Sequence, residues 1–408
     1  MSAARLSLLS VPPLPSLLWP LSLLWLLVAC GTPLDPAKPG EDPSDSGAEP
    51  VDSGPVETDP DGDFVFGDQI LDLDLELSEA SLAALAEEPR EDVPAGLRFA
   101  GERWEVALKL KGSRSFRDLS EKASFKIDVQ EYNEEQRFFG IKRLTLNNMI
   151  QDPTMASERL SYRLHALVGT PAPRHGYARV RVNGEPFGLY TVVETMDEQL
   201  LERIFPGDDQ GNLYEGGYGG DFNEGCAPLF TQQEGEDESR ADLNALIDEL
   251  VAAGPDALLP TLEARFDLDA LLDLWAVELI SSNNDAYATL GNNFLVYHAP
   301  GADRWTMLPW GADQAFAGEP GLPSLQGALA ERCAAAPDCA AALDARVERA
   351  LGLWEDEGFA EWAVSEADRI EADCRADPRS EWGDYGCRDA LTALRDWVRA
   401  RPAAARQR

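Results

Sequence analysis

Leu71, Leu73, Leu75 and Leu77 alternate with Asp72, Asp74 and Glu76 without interruption, a period of two that only a strand with one buried face satisfies. The same short-period patterning continues downstream. Residues 98–99, 104–111 and 124–129 read as strands separated by turn-rich segments, and residues 138–140 read as a strand partner for 143–146. Residues 177–182 and 189–193 read as two further strands joined by the hairpin signal Asn183-Gly184. Helices interrupt this pattern at 79–87, behind Ser78, and at 157–167, closed by Gly169. A mixed sheet is therefore expected over roughly 64–195.

Past a glycine-rich loop at 214–220 the period lengthens. Helices are expected at 241–252, 255–266, 267–280, 325–336, 340–354, 359–376 and 389–400, the third with Leu268, Leu271, Leu272, Trp275 and Leu279 along one face. The expected fold class is α+β: a β-rich part over 64–205 followed by a mainly helical part over 206–408, the bilobal layout in which a nucleotide could sit between lobes.

The first thirty residues carry Arg5, an apolar run through Leu26 and small residues before Cys30, the layout of a secretory signal. Leu27-Val28-Ala29-Cys30 resembles a bacterial lipobox, so residues 1–30 are expected to be a lipoprotein signal peptide and Cys30 the lipidated residue that anchors an exported, envelope-located protein to a membrane. Over 31–63, ten Asp or Glu face the single Lys38 among Pro, Gly and Ser, a composition expected to form a disordered, self-repelling tether. The net charge of −38 excludes nucleic acid and anionic membrane surfaces as partners, since phosphates would be repelled. Close spacing suggests the disulfides Cys333 with Cys339 and Cys374 with Cys387, leaving Cys226 unpaired; zinc is the rival use, but only three His are present and none lies near a Cys pair.

One stretch carries chemistry. Asp285 lies in a loop, Asn293 follows, a short apolar hairpin turns at 300–303, and Asp313 follows the hairpin. In protein kinases an Asp accepts the substrate hydroxyl proton, an Asn a few residues on holds metal, and an Asp after a hairpin holds metal against the phosphates. An open, oxygen-only donor set suits Mg²⁺. The competing reading makes Asp285 a helix exit, Asn293 a turn residue and Asp313 an N-cap. His165, His175 and His298 accompany no nucleophile pattern, so a hydrolase triad has no support.

Further pieces appear in a fixed order: Lys111-Gly112-Ser113, then Lys122-Ala123-Ser124-Phe125-Lys126; Leu146-Asn147-Asn148 and Asp152-Pro153-Thr154 leading to Arg159-Leu160-Ser161-Tyr162; Val182-Asn183-Gly184 and Gly188-Leu189-Tyr190; Asn284-Asp285, Asn293-Phe294 and Pro309-Trp310-Gly311-Ala312-Asp313. This ordered set resembles the CotH kinases, an atypical protein-kinase-like group named for spore coat protein H. The resemblance covers most of 71–316. It implies ATP-dependent, Mg²⁺- or Mn²⁺-assisted phosphorylation of Ser or Thr in protein substrates, with Asp285 as catalytic base and Asn293 and Asp313 as metal ligands. It also implies Lys126 as the phosphate-contacting lysine and Arg159 and Glu194 as supporting site residues; Lys111, before a glycine turn, suits either a phosphate contact or the turn itself. The family usually carries two acids after the Pro-Trp pair, whereas here the first position is Gly311, leaving Asp313. A catalytically inactive envelope scaffold or adhesin of the same fold is the alternative.

Overall fold

The computed structural model describes residues 62–217, 219–236, 239–318 and 321–407. The leader 1–30 with Cys30, and nearly all of the 31–63 tether, lie outside the described residues.

The alternating segments become β1 (Ile70–Leu77), β2 (Val93–Phe99), β3 (Glu102–Lys111), β4 (Ser124–Asp128), β5 (Arg143–Asn147), β6 (His175–Val182) and β7 (Glu185–Glu194). They do not form an open sheet. They close into a barrel in the order β1-β2-β3-β4-β5-β7-β6, sealed by parallel pairing of β1 with β6 in which Leu71 faces Ala178 and Leu75 faces Val182. Alternation says which face of a strand is buried; it does not say whether the first and last edges meet. Closure removes both edges. The lumen is filled by Leu75, Leu108, Phe125, Ile127, Leu146 and Val192, all essentially inaccessible to solvent. The expected pairing of 138–140 with 143–146 is replaced: Phe138 bridges Ile141 instead, and β5 pairs with β4 and β7.

Two helices punctuate the barrel. The helix α1 (Glu79–Glu87) starts where the Ser78 hydroxyl accepts the Ser81 amide, a side-chain N-cap. The helix α2 (Ser157–Val168) ends at Gly169 with φ of 88°, the left-handed residue that closes its last turn. Ahead of α2, the Asp152 carboxylate accepts the amides of Thr154 and Ser157, satisfying donors that the first turn leaves open.

After α3 (Glu198–Ile204) come β8 (Asn212–Gly216), β9 (Phe230–Glu234), α4 (Ala241–Ala252), α5 (Pro255–Arg265), α6 (Leu268–Ile280) and the single turn α7 (Tyr287–Leu290). The hairpin β10 (Phe294–Ala299) and β11 (Arg304–Pro309) follows, then α8 (Ala328–Ala335), α9 (Pro337–Asp356), α10 (Phe359–Ala376) and α11 (Gly383–Ala405). The helical part thus contains a second sheet, β11-β10-β8-β9, and the expected glycine-rich loop begins as the strand β8. The helix α6 is buried from Ala270 to Ile280 on every side rather than along one stripe, with Asp273 and Glu278 enclosed among the apolar residues. Among the described residues, no helix is long and apolar enough to cross a membrane.

Both expected disulfides form, Cys333–Cys339 and Cys374–Cys387. Cys226, expected to be left over, is disulfide-bonded as well, so none of the described cysteines is free. The barrel and the helices are joined by a fully buried ion pair, Lys122 Nζ to Asp377 Oδ2 at 2.7 Å.

Candidate active site

The hairpin β10–β11 brings together residues eighteen apart. Phe294 pairs with Pro309, and the Trp310 amide donates to the Asn293 carbonyl at 3.2 Å, so the strand register delivers Asn293 beside Gly311. The Asn293 side-chain amide then donates to Asp285 Oδ2 at 3.0 Å and to the Gly311 carbonyl at 3.2 Å. Gly311 has φ of +53°, and a Cβ there would stand 2.9 Å from Asn293 Cγ. The glycine that departs from the two-acid pattern suits the position of Asn293: a side chain at 311 would force this amide to shift.

Asp285 is held by neutral donors. Its Oδ1 accepts from Asn292 Nδ2 at 2.9 Å, and its Oδ2 accepts from Asn293 and from Gln314 Nε2 at 2.9 Å. No cation is bonded to it among the described residues, so its carboxylate keeps its acceptor character while its orientation is set from three sides. The Phe316 amide donates to the Ser281 carbonyl at 2.7 Å, tying the segment that carries Asp313 to the base of the loop that carries Asp285.

Asp313 is half-buried, and its carboxyl is pushed up to about 7, first by burial and then by the neighbouring charges of Glu158, Asp152 and Asp285. Four acids around one region repel one another unless a cation offsets them. Lys111 supplies part of that offset. It lies on the outer face of β3, its ammonium donates to Asn147 Oδ1, and it stands 5.4 Å from the centre of the Trp310 ring. Burial pulls its pKa down while Glu158, Glu215 and Asp313 pull it back up. Asn147 on β5 in turn donates to both oxygens of Glu158 on α2, at 2.9 and 3.0 Å, and Tyr162, one turn along, donates to the same carboxylate at 3.2 Å. Glu158 is 2% exposed. The result is a chain Lys111–Asn147–Glu158 from the barrel to the helix.

Lys126 shares the outer face with Lys111, since Lys109 pairs with Lys126 and Lys111 with Ser124 across β3 and β4. It forms no ion pair among the described residues, and its charge is felt by Lys111, Glu215 and Glu234. The structure thus gathers Asp285, Asn293, Asp313 and Lys111, with Lys126 beside Lys111 on the same face of the barrel. Two expected residues are engaged elsewhere. Arg159 is buried and bonded to Glu366 at 2.6 Å and Asp68 at 2.8 Å, because one step along α2 from Glu158 turns it about 100° toward α10. Glu194 ends β7 and is clamped by Arg174 at 2.8 Å and Arg203 at 2.6 Å. Strand alternation puts Glu194 on the face opposite Thr191, which lies across from Asn147.

Sequence reasoning missed Glu158, Asn147, Asn292 and Gln314. The i, i+4 spacing of Glu158 and Tyr162 and the two-residue step from Thr145 to Asn147 carried the signal, but neither says which face looks onto which partner.

Among the described residues no three His, Cys, Asp or Glu side chains converge closely enough to make a metal cage. The donors present are hard oxygens from Asp313 and the Asn293 amide, set among carboxylates that Lys111 offsets only in part. They fit a Mg²⁺-type ion that completes its shell with phosphate oxygens and water. Burial pushes His165 and His175 down to about 3, and His298 is engaged by Asp242 at 2.9 Å and Asp303 at 3.2 Å.

A sequence profile of CotH kinase protein matches residues 108–405. Inner spore coat protein H of Bacillus subtilis (strain 168) is 22% identical over 230 residues, covering 54% of this chain and 61% of that protein. The inner spore coat protein H-like protein of the same organism is 30% identical over 112 residues, covering 24% of this chain and 35% of that protein. The chain therefore spans less than two thirds of the length of either relative.

Proposed function

The chain belongs to the CotH kinase protein family, and from that premise we propose that it transfers the γ-phosphoryl group of ATP to Ser or Thr hydroxyls of exported or envelope proteins, with Mg²⁺ or Mn²⁺. The observation that carries this reading is the meeting of Asp285, Asn293 and Asp313 from both sides of one hairpin, within electrostatic reach of Lys111 on the barrel, which has Lys126 beside it.

Asp285 accepts the hydroxyl proton of the substrate. Asn292, Asn293 and Gln314 aim its carboxylate without neutralising it, which is what a general base requires. Lys111 and Lys126 contact phosphate oxygens, and Glu158, acting through Asn147, keeps the Lys111 ammonium in place. Asn293 and Asp313 would hold the divalent ion; bound there, it supplies positive charge against the transferring phosphoryl group. In this reading the outer face of the barrel and the β10–β11 hairpin are the two walls of a bilobal nucleotide cleft, and the leader ending at Cys30 delivers the protein to a membrane as a lipoprotein.

The experiment is phosphate incorporation from labelled ATP with Mn²⁺ into casein, comparing the chain with Asp285→Ala and Asp313→Ala. Loss of label in both variants is expected. Equal label in all three, or none in the unsubstituted chain, would favour a non-catalytic scaffold, a reading that the single acid after Trp310 also suits.

A further inference from the structure

The loop that carries Asp285 is only six residues long, 281–286, and two buried ionisable residues hold its ends from behind. At the near end, α6 finishes at Ile280; the Glu278 and Leu279 carbonyls accept the Asn283 and Ser282 amides, but among the described residues the Ile280 carbonyl accepts no backbone amide from the loop. Arg401, on α11 and 1% exposed, is the donor instead. Its Nε donates to the Ile280 carbonyl at 2.7 Å, its Nη2 to Leu279 at 2.8 Å and its Nη1 to Gly321 at 3.1 Å. A cation at a helix C-terminus also meets the negative end of the helix dipole.

At the far end the anchor is Glu278. It is 2% exposed, on the last full turn of α6, and its Oε2 accepts the Ala288 amide at 2.7 Å, with the Tyr287 amide beside the same carboxyl group. These amides belong to the first turn of α7, the segment that resumes after Asp285. A buried acid bonded to the backbone on the other side of its own loop fixes the span the loop must bridge. Asn283 then donates structure within it, its Oδ1 accepting the Asp285 amide at 3.3 Å and its carbonyl accepting the Thr289 hydroxyl.

We infer that Glu278 and Arg401 are positioning residues that clamp the two ends of the 281–286 loop and thereby fix the carboxylate of Asp285. Neither is exposed enough to touch a substrate, so both act through the loop. The inference rests on the reading of Asp285 as the base, but the clamp itself makes a claim about the loop that holds with or without turnover.

The test uses the whole chain and the variants Glu278→Ala, Glu278→Gln and Arg401→Met, with two readouts. The first is amide hydrogen exchange. Glu278→Ala is expected to speed exchange of the amides of 285–290 at least roughly tenfold relative to the unsubstituted chain while α9 and α10 keep their protection. Glu278→Gln, which retains an acceptor oxygen, is expected to stay near the unsubstituted rate. The second is casein phosphorylation, where Glu278→Ala is expected to lower kcat by roughly 10–100-fold with KM for ATP nearly unchanged, and Glu278→Gln to restore most of it. If exchange over 285–290 is the same in Glu278→Ala and in the unsubstituted chain, the clamp is refuted whatever the activity. If exchange changes as expected while the unsubstituted chain is inactive, the clamp stands and the kinase reading is what fails. Arg401→Met is expected to loosen the same segment from its other end; should it unfold globally instead, the two Glu278 variants decide.

Discussion

Removing the carboxylate of Asp377 should be among the most damaging single changes available in this protein. Asp377 lies just past α10, and its Oδ2 accepts both Lys122 Nζ at 2.7 Å and the Leu189 amide at 2.9 Å, while Oδ1 accepts the Arg379 amide at 2.9 Å. Both side chains of the ion pair are fully buried. Burial alone pulls the Lys122 ammonium down, and Asp377 is what pulls it back up. Asp377→Ala therefore leaves a buried cation without its counter-ion and orphans two amides, a change that costs about 3–5 kcal/mol. With about 350 described residues at roughly 2.1 cal/mol/K each, the unfolding entropy is about 0.7 kcal/mol/K, so the melting temperature should fall by about 4–7 °C. The double variant Lys122→Met, Asp377→Ala removes the stranded charge and should recover a large part of that loss. Thermal and urea unfolding of the unsubstituted, single and double variants measure both quantities. A cost below about 1 kcal/mol for Asp377→Ala, or a double variant no better than the single one, would refute the assignment of this pair as the buried tie between barrel and helices.

Three further outcomes are expected. Gly311→Ala must place a side chain at φ +53° and within 2.9 Å of Asn293 Cγ, so it should cost about 1–3 kcal/mol in urea unfolding and lower phosphorylation by displacing Asn293 from Asp285. Lys111→Met should reduce phosphorylation more than Lys126→Met, because only Lys111 is linked to Glu158 through Asn147; equal losses in initial-rate assays would remove that distinction. Burial holds the Glu278 carboxyl up to about 8 against an ordinary 4.5. Below pH 4.5 the group is protonated in both folded and unfolded chains, and between 4.5 and 8 the unfolded chain gives up a proton that the folded one keeps. Stability therefore falls across that window and levels off above it. Glu278→Gln should flatten this part of the pH profile, measured as urea midpoints at pH 5 and pH 8, and an unchanged slope would show that Glu278 is ionised in the folded protein.

Local chemistry in the sequence was enough to define most of the elements and the order of the site. Period-two alternation of leucine with acid defines β1, Ser78 and Gly169 bound two helices, Asn183-Gly184 turns β6 into β7, and the acid–amide–hairpin–acid order places Asp285, Asn293 and Asp313 on one supersecondary unit. These are readable because each depends on neighbours within a few residues. What only the tertiary structure decided depends on which separate elements meet, some of them more than a hundred residues apart. Closure of the barrel by β1 against β6 is one, and the burial of α6 on all sides is another. The choice of Glu158 over its neighbour Arg159 for the site is a third, settled by which partner each face of α2 meets. Gly311 sums up the difference: in the sequence it is a missing acid, and in the folded chain it is a residue with no side chain to displace Asn293, because excluded volume between segments exists only once they have come together.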